Sequence, residues 1–311
     1  MTKPQSSQTI KNGPEYRGRF APSPSGPLHF GSLIAAVASY LEAITNQGEW
    51  LLRIEDIDPP REITGAADLI IEALDCHGFE WTGPVLYQSL QIEAYEALSD
   101  SLLEQGIAYR CQCSREDIRA LNPHMSATGP VYPGTCRPLN LQRDDSTAMA
   151  IRLKMTDMNI RFMDLLQGET DCQLSRDIGD IVLRRKDGLI GYSLAVVADD
   201  ERQGITDIVR GCDLLPLTPA HIFLQQQLNF NVPSYMHIPL AMNPDGQKLS
   251  KQSGADAINI KTPSENLIRS LQFLGQNPPN EIINAPVADI WQWARNHWHP
   301  DNLATKHQLP E

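Results

Sequence analysis

Apolar positions along the chain alternate between short runs and helical stripes. Tyr16–Ala21 predicts a short strand, and Pro22-Ser23-Pro24-Ser25-Gly26-Pro27 forces a tight loop behind it. From Leu28 onward, Phe30, Leu33, Ile34, Val37, Tyr40, Leu41 and Ile44 recur at helical spacing, and Gly48 is placed to stop that helix. Trp50–Ile54 is again a short apolar run, ended by Glu55-Asp56-Ile57-Asp58. A strand, a loop, a helix and a second strand in this order predict the opening of a parallel, Rossmann-like α/β sheet. Helical patterns follow over Ala66–Cys76 and Ile92–Gln105.

Residues 106–150 break the rhythm: they are rich in Cys, Pro, Gly and Asn and predict an insertion. Strands are expected at Ala148–Met155, Asp180–Arg184, Tyr192–Val197, Ile205–Arg210 and Met236–Ala241, with a helix over Pro219–Leu228. Asn243-Pro244-Asp245-Gly246 is a strong turn signal, and Lys248-Leu249-Ser250-Lys251-Gln252 follows it directly. The last stretch is expected to be helical, including the Trp-rich segment Ile290–Trp298, and no internal repeat is visible. The pattern divides the chain into a flexible leader (1–15), a first α/β half (16–105), an insertion (106–150), a second α/β half (151–260) and a helical C-terminal region (261–311).

Charge and cysteine usage narrow the class. The chain has 311 residues, with 26 Lys+Arg against 38 Asp+Glu, a formal charge of −12. That excludes a basic coat protein and argues against a partner held mainly through phosphates. An RNA partner would have to use a local basic face, of which Arg184-Arg185-Lys186 is the visible candidate, and its binding would be weak and salt-dependent. The polar N-terminus lacks a signal-peptide pattern, and the longest mostly apolar run, Leu33–Leu41, cannot span a membrane, so a cytoplasmic protein is expected. The six cysteines are then reduced. Cys76, Cys172 and Cys212 are scattered and are expected to be ordinary small buried residues, while Cys111, Cys113 and Cys136 lie close together.

Two constellations carry chemistry. Arg19 stands at a strand end, with His29 and Gly31 in the first turn of the following helix. Free N–H groups and the positive dipole end favour phosphate there, an imidazole can donate to it, and a flat base can lie on a glycine. Taken alone, His29 more simply caps or packs the turn. Lys248 and Lys251, three apart after a turn, suit a clamp on the charge that develops as pyrophosphate leaves, although such a pair by itself is usually a solvated turn.

Together the two sharpen. Arg-Phe-Ala-Pro-Ser-Pro-Ser-Gly-Pro-Leu-His-Phe-Gly-Ser at 19–32 resembles the first signature of class I aminoacyl-tRNA synthetases, and more narrowly the glutamyl branch. Lys248–Gln252 resembles the second signature, Lys-Met-Ser-Lys-Ser, and Leu51–Asp58 a further glutamyl-branch block. The resemblance covers about residues 16–260. Ser32 stands where the class has a second His, and Leu249 and Gln252 occupy variable places in the second signature. A long anticodon-binding region is expected after the second signature, but only residues 253–311 follow. This truncated pattern resembles a shorter branch of the family. Its members activate L-glutamate with ATP without tRNA, then esterify it to the cyclopentenediol of queuosine in tRNA(Asp).

The resemblance also implies site residues. Arg19, Phe20, Ala21, Pro22 and Ser23 form the glutamate-binding strand and loop, joined by Glu55 on the α-ammonium, Tyr192, and Arg210 on a carboxylate. A bidentate guanidinium suits a carboxylate and rejects glutamine's neutral amide. On residue type alone, Glu55 and Arg210 are more simply a structural ion pair and Tyr192 a packed strand residue. His29, Gly31 and Lys251 would hold ATP, with Lys248 beside them, and Mg²⁺ would travel with the ATP. No protein nucleophile is needed.

Cys111-Gln112-Cys113 and Tyr132-x-x-x-Cys136 resemble the family's structural zinc site in the insertion facing the RNA. The fourth place falls to Tyr132 by that resemblance, or to His124 on ordinary ligand chemistry. The branch is expected to act as a monomer. Competing readings are a minimal synthetase charging a tRNA 3′ end, a non-catalytic nucleotide- or RNA-binding paralogue, and a small-molecule nucleotidyltransferase.

Overall fold

The computed structural model describes residues 16–121, 125–126, 129–142, 148–242, 256–305 and 308–310. The leader 1–15, His124, Lys248 and Lys251 lie outside the described residues. The chain opens with β1 (Arg17–Phe20), α1 (Phe30–Thr45) and β2 (Glu49–Ile54), then α2 (Ala66–Cys76), β3 (Leu86–Tyr87) and α3 (Ile92–Glu104). β1 and β2 are parallel, with Arg17 opposite Glu49 and Phe20 opposite Leu52, and β3 continues the parallel order beside β2. α1 buries nearly its whole surface, from Phe30 through Ala43, because it sits between this sheet and the C-terminal helices. The expected Rossmann-like opening is present, as a mixed α/β fold with a parallel sheet.

β4 (Ala108–Cys111) leads to α4 (Arg115–Leu121) and the two-residue strands β5 (Met125–Ser126) and β6 (Gly129–Pro130). β7 (Ala150–Leu153) then returns antiparallel to β4, Cys111 opposite Ala150. Next come the hairpin β8 (Asn159–Asp164) and β9 (Gly168–Gln173), the single turn α5 (Leu174–Asp177), and β10 (Val182–Arg184), which pairs with β7. The second α/β half holds α6 (Tyr192–Arg202), β11 (Asp207–Gly211), α7 (Thr218–Leu228), β12 (Ser234–Ile238) and β13 (Leu240–Met242). After it come α8 (Pro263–Phe273), α9 (Val287–His297) and β14 (Gln308–Pro310).

β11 and β12 are parallel, and Tyr235 of β12 pairs with Asp164 of β8. The halves join at β1 and β11: Thr206 N–H donates to Arg17 C=O at 3.0 Å, and Arg17 N–H to Thr206 Oγ1 at 2.7 Å. The order therefore reverses between β1 and β11, and in such sheets ligands bind beyond the strand C-termini at the reversal.

Three expectations fail. Tyr192–Val197 is not a strand but the start of a helix; its apolar run is buried on every side, so it carries neither period. The strand expected over Met236–Ala241 is broken at Pro239, which lacks an N–H, into β12 and β13. Cys76 is exposed at the end of α2, although Cys172 and Cys212 are buried as expected. The β8–β9 hairpin had no clear sequence signal. The C-terminal tryptophans pack on the body: Trp291 Nε1 donates to His77 C=O (2.8 Å) and Trp298 Nε1 to Glu42 Oε1 (2.6 Å).

Candidate active site and cysteine cluster

β1 and β2 each deliver a guanidinium into a buried network at the reversal point. Arg19 Nε donates to Asp200 Oδ1 at 3.1 Å, and Arg53 Nη2 donates to the same oxygen at 2.8 Å. Burial works against the charge of Asp200, but Arg19 and Arg53 more than offset it and hold the carboxyl below its ordinary range. Its neighbour Asp199 accepts from Tyr95 Oη (2.7 Å) and Gln88 Nε2 (2.8 Å). Arg19 is thus gripped by its Nε edge, and no hydrogen bond among the described residues uses its Nη groups. That leaves the outer edge for a carboxylate.

Glu55 follows β2 directly and is tied to the loop by its N–H donating to Pro22 C=O at 3.0 Å. Its Oε1 lies 3.6 Å from Arg53 Nη2, beyond hydrogen-bond reach, and is buried without a hydrogen-bond partner among the described residues. Burial pushes the carboxyl up to about 7, while Arg53 and Arg19 pull the other way. A buried, unpartnered acceptor suits an ammonium. Glu55 therefore lies against Arg53; it makes no ion pair with Arg210 among the described residues. Tyr192 is the first residue of α6, and burial plus the Glu55 charge push its phenol up to about 12, so it stays a neutral hydroxyl. It is held there by Gly191, where an added Cβ would stand 2.3 Å from Val182 C=O.

Arg210 comes from the other side of the reversal, on β11. It is 5% exposed, yet no ion pair among the described residues includes it. Neutral groups hold it instead: His237 Nε2 at 3.0 Å from Nε, Thr218 Oγ1 at 2.9 Å from Nη2, and His221 Nδ1 at 3.4 Å from Nη1. Burial and Arg210 push His221 well below its ordinary value, so it is a neutral neighbour. A guanidinium buried without a counter-charge is costly, and a substrate carboxylate would relieve that cost.

Two clefts meet at Ser23. One, of about 480 Å³, is lined by Phe20, Ala21, Pro22, Ser23, His29 and Gly31 on one side and by β11 and β12 ends on the other. The other, of about 510 Å³, is lined by Ser23, Glu55, Asp58, Gln88, Arg185 and Tyr192. The first cleft faces the N-terminus of α1, which has no acidic residue in its first turn to neutralise its N–H groups. His29 is the N-cap of α1: its Nδ1 accepts from Ser32 N–H at 3.2 Å, and its Nε2 lies 3.0 Å from Ser32 Oγ. The capping role is real and leaves the ring at the cleft wall. The structure thus brings Phe20–Ser23, His29, Gly31, Glu55 and Tyr192 to one pair of clefts, while Arg19 and Arg210 are buried on β1 and β11 and line neither of the two.

Sequence reasoning missed Arg53, Asp199, Gln88, Thr218, His221, His237 and Asp164 as parts of the site. The Asp199-Asp200 pair directly after the apolar run Leu194–Ala198 was the available signal, because buried charges need partners.

The sulfurs of Cys111, Cys113 and Cys136 all lie within 4.8 Å of one another. Tyr132 Oη is 3.5 Å from Cys113 Sγ and accepts from Cys136 N–H at 2.9 Å. Tyr132 sits opposite Gly179, whose φ of +71° and contact with the Tyr132 backbone exclude a side chain there. Tyr109, Cys111, Ile118, Tyr132 and Cys136 form a separate, very small core. Three soft sulfurs beside a phenolic oxygen are a donor set that fits Zn²⁺.

Comparison with known proteins follows the same lines. Residues 15–281 match the profile described as class I tRNA synthetases (E and Q), catalytic domain. The chain is 51% identical over 287 residues to glutamyl-Q tRNA(Asp) synthetase of Dechloromonas aromatica (strain RCB), covering 91% of this chain and 94% of the relative. It is 46% identical over 296 residues to the protein of that name from Pseudomonas putida (strain GB-1), covering 95% and 97%. Among solved structures, a glutamate tRNA ligase from Elizabethkingia meningosepticum in complex with its amino acid matches with a TM-score of 0.76 and 25% identity. That match covers 94% of this chain and 66% of the longer ligase. Glutamate-tRNA synthetase from Elizabethkingia anophelis matches in fold, with a TM-score of 0.77 at 24% identity, over 94% of this chain and 68% of that one.

Proposed function

The chain belongs to the class I tRNA synthetases (E and Q), and within them to the glutamyl-Q tRNA(Asp) synthetases, and on that premise we propose that it activates glutamate without tRNA and transfers it to queuosine in tRNA(Asp). It is an ATP-dependent glutamate ligase, with Mg²⁺ accompanying the nucleotide. A carboxylate oxygen of glutamate attacks the α-phosphorus, pyrophosphate leaves, and glutamyl-adenylate forms. A hydroxyl of the cyclopentenediol at the wobble position then attacks the acyl carbon, and AMP leaves.

The chain's residues supply binding and orientation. Arg19 and Arg210 take the carboxylates, Glu55 and Tyr192 the α-ammonium side, and Phe20–Ser23 shape the pocket. His29, Gly31 and Lys251 hold ATP, and Lys248 joins Lys251 against the charge on departing pyrophosphate. The observation that carries this reading is Arg210, a buried guanidinium with neutral partners only among the described residues. Cys111, Cys113, Cys136 and Tyr132 are proposed to bind a structural Zn²⁺ that pins the insertion.

Glutamate-dependent exchange of pyrophosphate into ATP, measured with no tRNA, tests the first step. Exchange supports the reading; its absence, with exchange appearing only when tRNA is added, favours an ordinary synthetase. R210Q is expected to raise the glutamate KM at least 100-fold and leave the ATP KM within about twofold. The likeness to glutamate–tRNA ligases favours a second reading, charging of a tRNA 3′ end, which predicts labelling of unmodified tRNA.

A further inference from the structure

The partners of Arg210 form a buried chain that starts on another hairpin. Asp164 ends β8, and its Oδ1 accepts from the N–H groups of Leu166 (3.1 Å), Gln167 (2.8 Å) and His237 (3.2 Å). Its other oxygen lies 2.5 Å from His237 Nδ1. Asp164 and His237 are 1% and 0% exposed. Burial opposes the Asp164 charge, but the His237 contact and the turn amides outweigh it and keep the carboxylate ionised.

An ionised carboxylate only accepts hydrogen bonds, so the proton sits on His237 Nδ1. Burial, with Arg210 beside it, holds the ring below its ordinary value despite Asp164, so the ring is neutral. Its Nε2 is therefore a bare acceptor, and Arg210 Nε donates to it at 3.0 Å. Arg210 has five N–H donors and no acceptor. His237 and Thr218 take the Nε edge and one Nη2 hydrogen, and the Nη1–Nη2 edge meets only the longer contacts of His221 Nδ1, at 3.4 and 3.5 Å, so the guanidinium is fixed in plane.

We propose that Asp164 and His237 are positioning residues for glutamate selection: Asp164 sets the His237 tautomer, and His237 Nε2 orients Arg210 toward the substrate carboxylate. This rests on the assignment of Arg210 to glutamate made above. If the tautomer reversed, a ring N–H would meet an Arg N–H, and the fork would turn away from the substrate. A wrongly aimed fork loses the bidentate geometry that separates a carboxylate from an amide.

Two substitutions divide the ring's roles. In H237N the amide stands near Nδ1, so the Asp164 bond survives while the acceptor for Arg210 is lost. In H237Q the amide oxygen reaches the Nε2 position, so the Arg210 acceptor survives. The proposal predicts a glutamate KM at least 20-fold higher for H237N and no more than about fivefold higher for H237Q. The ATP KM should stay within about twofold in both, with the ratio of glutamate to glutamine activation falling in H237N. A purely structural Asp164–His237 pair predicts the reverse order. Wild-type-like glutamate KM in H237N, or equal impairment of the two variants, would overturn the proposal.

R210Q is measured in parallel. If R210Q leaves the glutamate KM unchanged, the substrate assignment fails and the proposal fails with it. If R210Q is impaired and H237N is not, the positioning role alone fails. Should H237N not melt cooperatively, histidine ¹⁵N spectra of the unmutated protein decide: a bare Nε2 and protonated Nδ1 on His237 support the proposal, and the opposite tautomer overturns it.

Discussion

At the scale of single residues, the site is a set of buried charges whose environments separate their tasks. Arg53 and Asp200 compensate one another, which frees Arg19 at its outer edge, while Glu55 is left with an unpartnered oxygen. Glu55 has a folded pKa of about 7 against an ordinary 4.5. A raised acid contributes stability below pH 4.5 that is lost as pH rises through about 7. E55Q is therefore expected to be more stable than the unmutated protein at pH 8, by roughly 2–3 kcal/mol, and close to it at pH 4.5. Urea melts at the two pH values measure the difference; a constant difference would show that Glu55 is not strained by burial. The same variant is expected to bind glutamate at least tenfold more weakly. Arg19 and Glu55 were singled out because their local blocks resemble a family, and Tyr192 and Arg210 by the overall resemblance alone. Arg53, Asp199, Asp164 and His237 were not, because their partners lie far away in sequence; Arg53 and Asp200 are 147 residues apart.

At the scale of elements, amphipathic helices and short strands were the legible part. Ala66–Cys76 matched its pattern because it has one apolar face to bury, and α1, although buried nearly all round, keeps its large apolar residues at helical spacing. Tyr192–Arg202 was misread because a helix buried all round loses its period, and the correction matters, since it makes Tyr192 a helix-start residue aimed by Gly191. G191A would force a Cβ against Val182 C=O, at 2.3 Å in the present geometry. It is expected to cost about 2–4 kcal/mol and to raise the glutamate KM more than the ATP KM; thermal melts and exchange kinetics would show both. The cysteine cluster is a second case. Its apolar core of five residues is small for independent stability, so a metal is expected to supply it. Elemental analysis should find about one zinc per chain, and C136A should lose it and open residues 106–150 to limited proteolysis. Full zinc content in C136A would count against the assignment.

At the scale of the whole molecule, the two halves of the sheet place side by side, at the β1–β11 reversal, the two clefts that are proposed to take the amino acid and the nucleotide. The acidic total of −12 leaves little field for holding RNA. The one visible basic run is also partly neutralised: Arg184 pairs with Asp100, and Arg185 with Asp58 and Asp187. RNA transfer is therefore expected to fall at least tenfold between 50 and 200 mM salt. The exchange reaction should change less than twofold, and rates of both steps across a salt series test this. No helix among the described residues is long and apolar enough to cross a membrane. The central claim concerns where the glutamate goes. The most direct measurement supplies labelled glutamate, ATP and tRNA(Asp) trimmed of its 3′ adenosine, with and without queuosine. Label on the trimmed queuosine tRNA and none on its unmodified counterpart is the predicted result; equal labelling of both, or loss of label with the 3′ adenosine, would contradict it.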